Sequence, residues 1–209
     1  MMFCNASAGA DSKPKLAVFA SGNGSNAQRL AEFFHANGSA TISVICSNKP
    51  DAFVLERAKQ MGIPSVVFNR KSFYETDDLL RFLQSQKVDW IVLAGFLWLI
   101  PEYLLKAFPG RIVNIHPALL PSFPGLHAQK QAIDYGVKIS GCTVHFVDEG
   151  TDTGPVILQS AVPVSDDDTE ESLSAKILKE EHKIYPLAVK YFCEDRILVE
   201  GRKISINRN

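Results

Sequence analysis

The sequence predicts an α/β protein built on a doubly wound, mostly parallel sheet. Two observations predict this fold class. Short apolar runs alternate with amphipathic stretches of about ten residues, which is typical of βαβ units. The apolar runs are continuous, as expected of parallel strands that are buried on both faces. The chain has 209 residues, of which 46% are apolar and 22% are charged, and this composition is that of a globular protein with a large core.

The N-terminal half has a Rossmann-like alternation of strands and helices. Asp51 is expected to cap the second helix, and Gly62 and Pro64 are expected to end it. The predicted strands are Lys15–Ala20, Thr41–Ser47, Ser65–Phe68, Val88–Ala94 and Arg111–Ile115. The predicted helices are Asn26–His35, Asp51–Met61, Thr76–Gln86 and Pro101–Phe108.

The C-terminal half changes character and predicts mixed strands. Two strands are predicted at Ser140–Val147 and Val156–Val164, and the short loop Asp148–Pro155 joins them. Because the connection is short, we expect an antiparallel or mixed extension of the sheet. One long helix over Thr169–Cys193 and a terminal hairpin over Arg196–Ile206 complete the chain. No linker-like stretch divides it. We therefore expect a single domain over residues 14–209, preceded by a disordered tail at residues 1–13.

Charge and hydropathy exclude several classes of function. There are 22 Lys and Arg against 23 Asp and Glu, so the formal net charge is 22 − 23 = −1, and a general nucleic-acid partner is not expected. The apolar stretch Trp90–Ile100, which has no charge and no proline, has only eleven residues, whereas a membrane helix needs about 20. The four cysteines are far apart and form no CxxC pair, which predicts reduced thiols, no metal site and a cytoplasmic protein.

The first chemical motif is the segment Ser21–Asn26 (SGNGSN), which follows a strand and opens a helix. Gly22 and Gly24, with Ala27 in the last place, fit the dinucleotide fingerprint loosely. Glycines let the backbone approach a phosphate, and a helix N-terminus supplies free N–H groups. A nicotinamide site would also need an acid after the second strand, where the chain has Cys46–Asn48. The motif favours a phosphate cradle, and a plain strand–turn–helix corner stays an alternative.

The second motif is the strand end that carries Asn114 and His116. Residues two apart in a strand face the same side, so both side chains can point into one site at the carboxyl end of the strand. Pro117, Pro121 and Pro124 can stiffen the loop that follows. This pattern favours a functional pair over an isolated structural histidine.

The third motif is the acidic, glycine-bounded loop Asp148–Pro155. Its carboxylates suit general acid–base catalysis or the orientation of His116. They equally suit a metal site or an ordinary solvated turn, although the ligand spacing of a calcium loop is missing.

Five segments together carry a resemblance to a known family. They are Ser21–Asn26 (SGNGSN), Leu93–Phe96 (LAGF), Asn114–Pro121 (NIHPALLP), Pro124–His127 (PGLH) and Asp148–Leu158 (DEGTDTGPVIL). In this order they resemble the phosphoribosylglycinamide formyltransferase family of folate-dependent enzymes in purine biosynthesis. The resemblance runs from about Lys15 to the hairpin near residue 206. It implies that a formyl group moves from 10-formyltetrahydrofolate, a co-substrate, to the amine of phosphoribosyl glycinamide.

The resemblance also implies the roles of individual residues. His116 would stabilise the oxyanion or act as an acid, Asn114 would donate a hydrogen bond to the formyl oxygen, and Asp152 would orient His116 and help to move protons. The substrate would be held by Asn23, Gly24, Ser25, Asn26 and Glu181. The folate would be held by Arg70, Leu97, Trp98, Leu99, Ile100, Asp148, Glu149 and Gly150.

The chain departs from the family pattern at two places. Leu97-Trp98 stands where many relatives carry Met-Arg, which removes a cationic partner for the folate tail. Ala118 stands where Ser is common. His127 and His145 are further candidates for the pocket, and His145, on an apolar strand, is expected to be structural.

Three other functions are weighed against this one. A formyltetrahydrofolate hydrolase would be expected to carry an extra N-terminal regulatory domain, and an aminoacyl-tRNA formyltransferase would be expected to carry an extra basic domain. A non-catalytic nucleotide-binding module would use the glycine-rich loop alone and leaves Asn114, His116 and Asp152 unexplained. We expect a monomer or homodimer that acts on small molecules.

Overall fold

The structure, a computed structural model, describes residues 13–207. The predicted tail at residues 1–13 lies outside the described residues except for Lys13, and the prediction of one domain stays a prediction. The main sheet has seven strands: β1 (Lys15–Phe19), β2 (Thr41–Ser47), β3 (Ser65–Val67), β4 (Trp90–Leu93), β5 (Ile112–His116), β6 (Ile139–Phe146) and β7 (Val156–Pro163). Their order across the sheet is β3-β2-β1-β4-β5-β6-β7.

Strands β1 to β5 are parallel, and β6 and β7 are antiparallel to their neighbours. The predicted fold class, a doubly wound sheet with a mixed C-terminal part, is therefore confirmed. The order runs outward from β1 in both directions, so the sheet has its topological switch point between β1 and β4. Open α/β sheets bind ligands at such a point, beyond the carboxyl ends of the strands.

Seven helices lie among the described residues: α1 (Ser25–Asn37), α2 (Phe53–Gln60), α3 (Arg70–Tyr74), α4 (Asp78–Ser85), α5 (Glu102–Ala107), α6 (Ala128–Tyr135) and α7 (Glu170–Cys193). Two buried apolar clusters fill the two faces of the sheet. One packs α1, α2, α6 and α7 against one face, and the other packs α3, α4 and α5 against the opposite face. A hairpin of β8 (Ile197–Glu200) and β9 (Lys203–Ile206) follows α7, as predicted. No helix within residues 13–207 is long and apolar enough to cross a membrane.

The structure corrects the expected start of the second helix. Asp51 does not cap α2; the cap position is Ala52, which makes no capping side-chain bond. The physical reason is a backbone contact, because the N–H of Val54 in the first turn donates to the Gly22 carbonyl over 3.1 Å. The glycine-rich loop thus satisfies a donor that a capping side chain would otherwise bind. This contact also ties α2 to the loop after β1.

Two short helices were not predicted. Helix α3 has five residues and begins at a capping box in which Asn69 and Ser72 bond each other's backbone N–H groups. Helix α6 has eight residues and begins after His127, whose backbone is left-handed and whose side chain makes no capping bond. The other element ends differ from the predicted ones by only a few residues.

Candidate active site

The candidate active site lies at the carboxyl ends of β1, β4 and β5, which are adjacent in the sheet. Because these strands are parallel, the loops that follow them meet at one edge. A cavity of about 450 Å³ opens there, between the β4–α5 loop, the end of β5 and the loop after β6. Asn114, His116 and Asp152 line this cavity together. The three side chains that the sequence singled out for catalysis therefore share one site.

Asp152 is the centre of this group. Its Oδ2 lies 3.3 Å from Nδ1 of His116 and accepts the backbone N–H of Gly125 over 2.7 Å. Its Oδ1 lies 3.4 Å from Nδ2 of Asn114. The Asp152 backbone has φ 55, a left-handed conformation that is strained for a residue with a side chain. Such strain is found at functional sites, where the surrounding contacts hold the residue in place.

His145 also belongs to this group, although the sequence favoured a structural role for it. Its Nε2 lies 3.5 Å from Asp152 Oδ1 and 3.3 Å from Asn114 Nδ2, and its Nδ1 lies 2.8 Å from the Phe146 carbonyl. The strand pairing explains this, because β6 runs antiparallel to β5 and sets His145 opposite Asn114. The sequence named His145 as a further candidate for the pocket but favoured a structural role, because it does not reveal the pairing that sets His145 beside Asn114.

Both ring nitrogens of His116 face oxygen atoms. Nδ1 faces Asp152, and Nε2 lies 2.8 Å from the carbonyl of Phe123. Only the doubly protonated ring can bond both oxygens. Burial opposes that charge and lowers the pKa of His116, outweighing Asp152 and the Phe123 carbonyl, which raise it. A protonated His116 would therefore give up a proton readily.

The same contacts act on Asp152 in the opposite sense. Burial by itself raises the pKa of this carboxyl. The hydrogen bonds from His145 and from the Gly125 N–H, with the charges of His116 and His145, outweigh burial and lower the pKa of Asp152 below its ordinary value. Asp152 is therefore an ionised carboxylate at neutral pH, and it can accept protons and hold a histidine in place.

The predicted phosphate cradle follows β1 directly. Gly24, at the cap position of α1, has φ 76 and lets α1 begin without any capping side-chain bond. A Cβ atom at Gly24 would lie 2.4 Å from a methyl carbon of Val54 in α2, so only glycine fits. No acidic residue lies in the first turn. The N–H groups that begin α1, starting at Ser25, form the kind of site that binds anions.

Asn26 and Glu181 meet at the base of this cradle. Nδ2 of Asn26 donates to Oε2 of Glu181 over 2.7 Å, and both side chains are buried. Burial raises the pKa of Glu181, and the bond from Asn26 opposes this effect. The structure thus brings Asn26 and Glu181, two of the predicted substrate residues, into direct contact. The Nδ2 donor of Asn26 is bonded to another residue of the protein.

Arg57 is a residue of this region that the sequence analysis missed. Its Nε and Nη2 donate to the backbone oxygen and to Oδ1 of Asn23, each over 2.8 Å, and Nη1 donates to Gln28. Arg57 lies 34 residues from Asn23 in the chain, on α2. No spacing rule in a single sequence links the two. The guanidinium holds the tip of the loop and brings a positive charge to it.

The β4–α5 loop forms the apolar wall of the cavity. Leu97 and Leu99 are 54% and 65% exposed, which is unusual for leucine, and Ile100 is half-buried beside them. Trp98 lines the cavity and also packs in an aromatic cluster. Its ring contacts those of Phe68, Phe73, Tyr74 and Phe96, at centroid distances of 5.5 to 6.3 Å. The tryptophan that departs from the family pattern therefore anchors this loop.

The remaining predicted folate residues divide into two groups. Asp148, Glu149 and Gly150 are exposed and line the same cavity as the leucines. Arg70 does not line the cavity in the part of the chain that the structure describes; its guanidinium stacks on Tyr74 at 5.1 Å from the ring centroid. His127 lies on the cavity wall.

Comparisons with known proteins point to one family. Residues 14–189 match the model of the formyl transferase family. The chain is 45% identical over 181 residues to a phosphoribosylglycinamide formyltransferase of Bacillus subtilis, a match that covers 84% of this chain and 93% of that protein. It is 44% identical over 194 residues to the trifunctional purine biosynthetic protein adenosine-3 of Drosophila melanogaster; this match covers 90% of this chain but only 14% of that protein.

The fold comparison gives the same result. The crystal structure of glycinamide ribonucleotide transformylase 1 from Symbiobacterium toebii superposes with a TM-score of 0.89 at 44% identity. The superposition covers 93% of this chain and 94% of that one. The family match covers most of the chain, and the identities extend over most of a single-activity relative. The chain therefore belongs to the formyl transferase family and, within it, to the phosphoribosylglycinamide formyltransferases.

Proposed function

We propose that this enzyme transfers the formyl group of 10-formyltetrahydrofolate to the amine of phosphoribosyl glycinamide, with Asn114, His116 and Asp152 as its catalytic residues. The observation that carries this proposal is the contact of Asp152 with both His116 and Asn114 in one cavity. The substrate amine is itself the nucleophile, so the protein needs no serine or cysteine nucleophile. It has to stabilise an oxyanion and move protons.

In the first step the amine nitrogen bonds to the formyl carbon, and the carbonyl electrons move to the oxygen. We assign the oxyanion to two donors. One is the Nε2–H of His116, which now faces the Phe123 carbonyl, and the other is Nδ2 of Asn114. The contacts of Nδ2 are long, at 3.3 and 3.4 Å, so the amide can turn to a substrate oxygen at little cost.

In the second step the amine loses a proton, and the bond from the formyl carbon to the folate nitrogen breaks as that nitrogen gains a proton. Asp152 is the group suited to receive the amine proton, directly or through water, because it is ionised and lines the cavity. His116 in its protonated form is suited to supply a proton to the leaving nitrogen, because burial lowers its pKa. Asp152 then returns the amine proton to His116 through water, so that both groups regain their starting states. His145 stabilises the negative charge of Asp152.

Substrate binding follows from the loops around this centre. The phosphate would lie on the loop at Asn23 and Gly24 and on the first N–H groups of α1, which start at Ser25, and the ribose would lie near Glu181. The folate ring would lie against Leu97, Trp98, Leu99 and Ile100, with Asp148, Glu149 and Gly150 opposite. We assign Arg70, which does not line the cavity, to the anionic tail of the folate.

A formyl-transfer assay on the purified protein tests the proposal. 10-Formyltetrahydrofolate is supplied with phosphoribosyl glycinamide, with an aminoacyl-tRNA, or with no acceptor, and both tetrahydrofolate and the acylated product are measured. We expect tetrahydrofolate to form only with phosphoribosyl glycinamide. Formate release without an acceptor would favour a hydrolase, and formylation of the aminoacyl-tRNA would favour the tRNA enzyme. The absence of any turnover would favour a non-catalytic nucleotide-binding module.

A further inference from the structure

Ser21 joins the two loops to which the proposed function assigns the two substrates. It lies two residues after the end of β1, is 2% exposed, and immediately precedes Gly22 in the glycine-rich loop. Its backbone N–H donates to the carbonyl of Gly95 over 3.0 Å. Its hydroxyl oxygen accepts the backbone N–H of Leu97, also over 3.0 Å. One buried serine therefore makes two bonds to the β4–α5 loop, across 76 residues of sequence.

The two bonds reach the part of that loop that faces the cavity. Leu97, whose N–H is bound by Ser21, is the first of the two exposed leucines of the apolar wall. On the other side of Ser21, Gly22 and Asn23 are exposed at the tip of the cradle. Arg57 bonds Asn23 at one end, and Trp98 packs beside Leu97 at the other, but Gly22, Asn23 and Leu97 stay exposed. A ligand can therefore contact either end directly and restrict its remaining motion.

We propose that Ser21 couples the two binding sites, so that phosphoribosyl glycinamide and the folate each tighten the binding of the other. This inference rests on the proposed function, since it takes the two loops as the two substrate sites. Ser21 acts as a positioning residue, because its contacts are with the loop backbone rather than with the reacting atoms.

The physical basis is shared ordering of the two loops. A phosphate on the first N–H groups of α1 fixes the backbone from Gly22 onward, and with it the position of the Ser21 hydroxyl. That fixes the N–H of Leu97, so the folate meets a wall that is already ordered and loses less conformational freedom on binding. Linkage requires the reverse effect to be equally large.

The test is to measure each dissociation constant alone and with the other ligand saturating, by titration calorimetry. Phosphoribosyl glycinamide and tetrahydrofolate are used, because this pair cannot react. We expect each ligand to tighten the other by about 3- to 10-fold in the wild type, the size of one net hydrogen bond, and the factor to fall to about one in Ser21→Ala. Hydrogen exchange of the Leu97 amide should slow when phosphoribosyl glycinamide binds the wild type, and not in the variant.

Two variants serve as controls. Ser47 is a matched serine: it ends the neighbouring strand β2, is fully buried, and its hydroxyl accepts the N–H of Lys49 over 3.2 Å, a local bond that reaches no other loop. Ser47→Ala should keep the coupling factor. Tyr74→Phe removes the bond from the phenol to the Leu99 carbonyl, which loosens the folate loop without touching Ser21. It should weaken tetrahydrofolate binding and keep the coupling.

The outcomes separate the inference from the function on which it rests. Coupling that survives in Ser21→Ala, or that Tyr74→Phe lowers equally, would overturn the assignment to Ser21. Binding of both ligands by the wild type with a factor of one would overturn the coupling alone. Failure of the wild type to bind either ligand would overturn the proposed function as well.

Discussion

Nδ2 of Asn26 donates to Oε2 of Glu181 over 2.7 Å and thereby joins the first turn of α1 to the middle of α7. The pair brings a buried carboxyl to the base of the phosphate cradle. Burial raises the pKa of Glu181, so the folded chain keeps the carboxyl proton to a higher pH than the unfolded chain does. Ionisation of Glu181 in the folded chain therefore costs stability.

Glu181→Gln should therefore stabilise the protein in a pH-dependent manner. The free energy of unfolding of the wild type falls as the pH rises from the unfolded to the folded pKa of Glu181, since the unfolded chain ionises first. Gln keeps an oxygen for Asn26 and carries no charge. The free energy of unfolding of Glu181→Gln, measured with urea, should exceed that of the wild type by a small amount at about pH 4 and by a larger amount at about pH 7.5. The KM for phosphoribosyl glycinamide should rise.

The neighbouring residue provides the control. The pKa of Glu180 is lowered by its bonds with Lys183 and Ser160, so Glu180→Gln should show no such gain at neutral pH. An equal gain for Glu181→Gln at both pH values would contradict the role of charge burial.

His116→Ala and Asp152→Asn should each lower kcat by about 10²- to 10⁴-fold, because they remove the proposed oxyanion donor and the proposed proton acceptor. Steady-state kinetics measures the loss, and circular dichroism checks the fold. Asp134→Asn is the control, since Asp134 is an exposed acid of α6 that pairs with Lys130. Near-normal rates in both site variants would show that the chemistry lies elsewhere.

His145→Phe should shift the pH profile of kcat. The hydrogen bond from His145 is the largest of the effects that lower the pKa of Asp152. Its loss raises that pKa, so Asp152 takes up its proton at a higher pH and the activity disappears earlier as the pH falls. His35→Gln, at an exposed position of α1, should leave the profile unchanged. An unshifted acid limb in His145→Phe would assign His145 a packing role only.

Arg57→Ala should raise the KM for phosphoribosyl glycinamide by about tenfold, the value of one or two charge-assisted bonds, and leave kcat nearly unchanged. The reason is that Arg57 holds Asn23 at the tip of the cradle and contacts no residue of the Asp152 group in the structure. Lys59→Ala removes an exposed charge from the same helix and should leave both constants as they are. A fall in kcat with KM unchanged would contradict this assignment.

Gly22 and Gly24 should respond differently to alanine. At Gly24 the new Cβ would collide with Val54, and φ is 76, so Gly24→Ala should lower the free energy of unfolding by about 1 to 3 kcal/mol. At Gly22 nothing lies within 4 Å of a Cβ, and Gly22→Ala should fold normally. Urea unfolding of both variants measures this. Equal stability of the two would mean that α2 moves away freely.

The sequence predicted the parallel half of the fold because its strands are continuous apolar runs between amphipathic helices. It missed α6, which begins without a capping side chain, and α3, whose five residues are too few for a periodic pattern. The Asn69 and Ser72 capping box was the one local signal for α3. The predicted cap at Asp51 was wrong because the backbone carbonyl of Gly22, which is distant in sequence, accepts the N–H of Val54 in the first turn of α2.

For the site, the sequence identified residues that share a strand or a loop. Asn114 and His116 are two apart on β5, and their common orientation follows from the period of a strand. His145 and Arg57 depend on contacts over 31 and 34 residues, and only the assembled sheet and helices define them. Local periodicity therefore identified the two polar residues of β5 but not the role of the residues that surround them.

The reversal of strand direction after β5 has a consequence for the proposed chemistry. His116 belongs to the parallel half of the sheet, whereas Asp152 lies beyond the antiparallel strand β6. The pairing of β6 with β5 sets the loop after β6 beside the end of β5, where Asp152 Oδ2 lies 3.3 Å from Nδ1 of His116. The proposed proton transfer therefore depends on the antiparallel part of the sheet as much as on the parallel part.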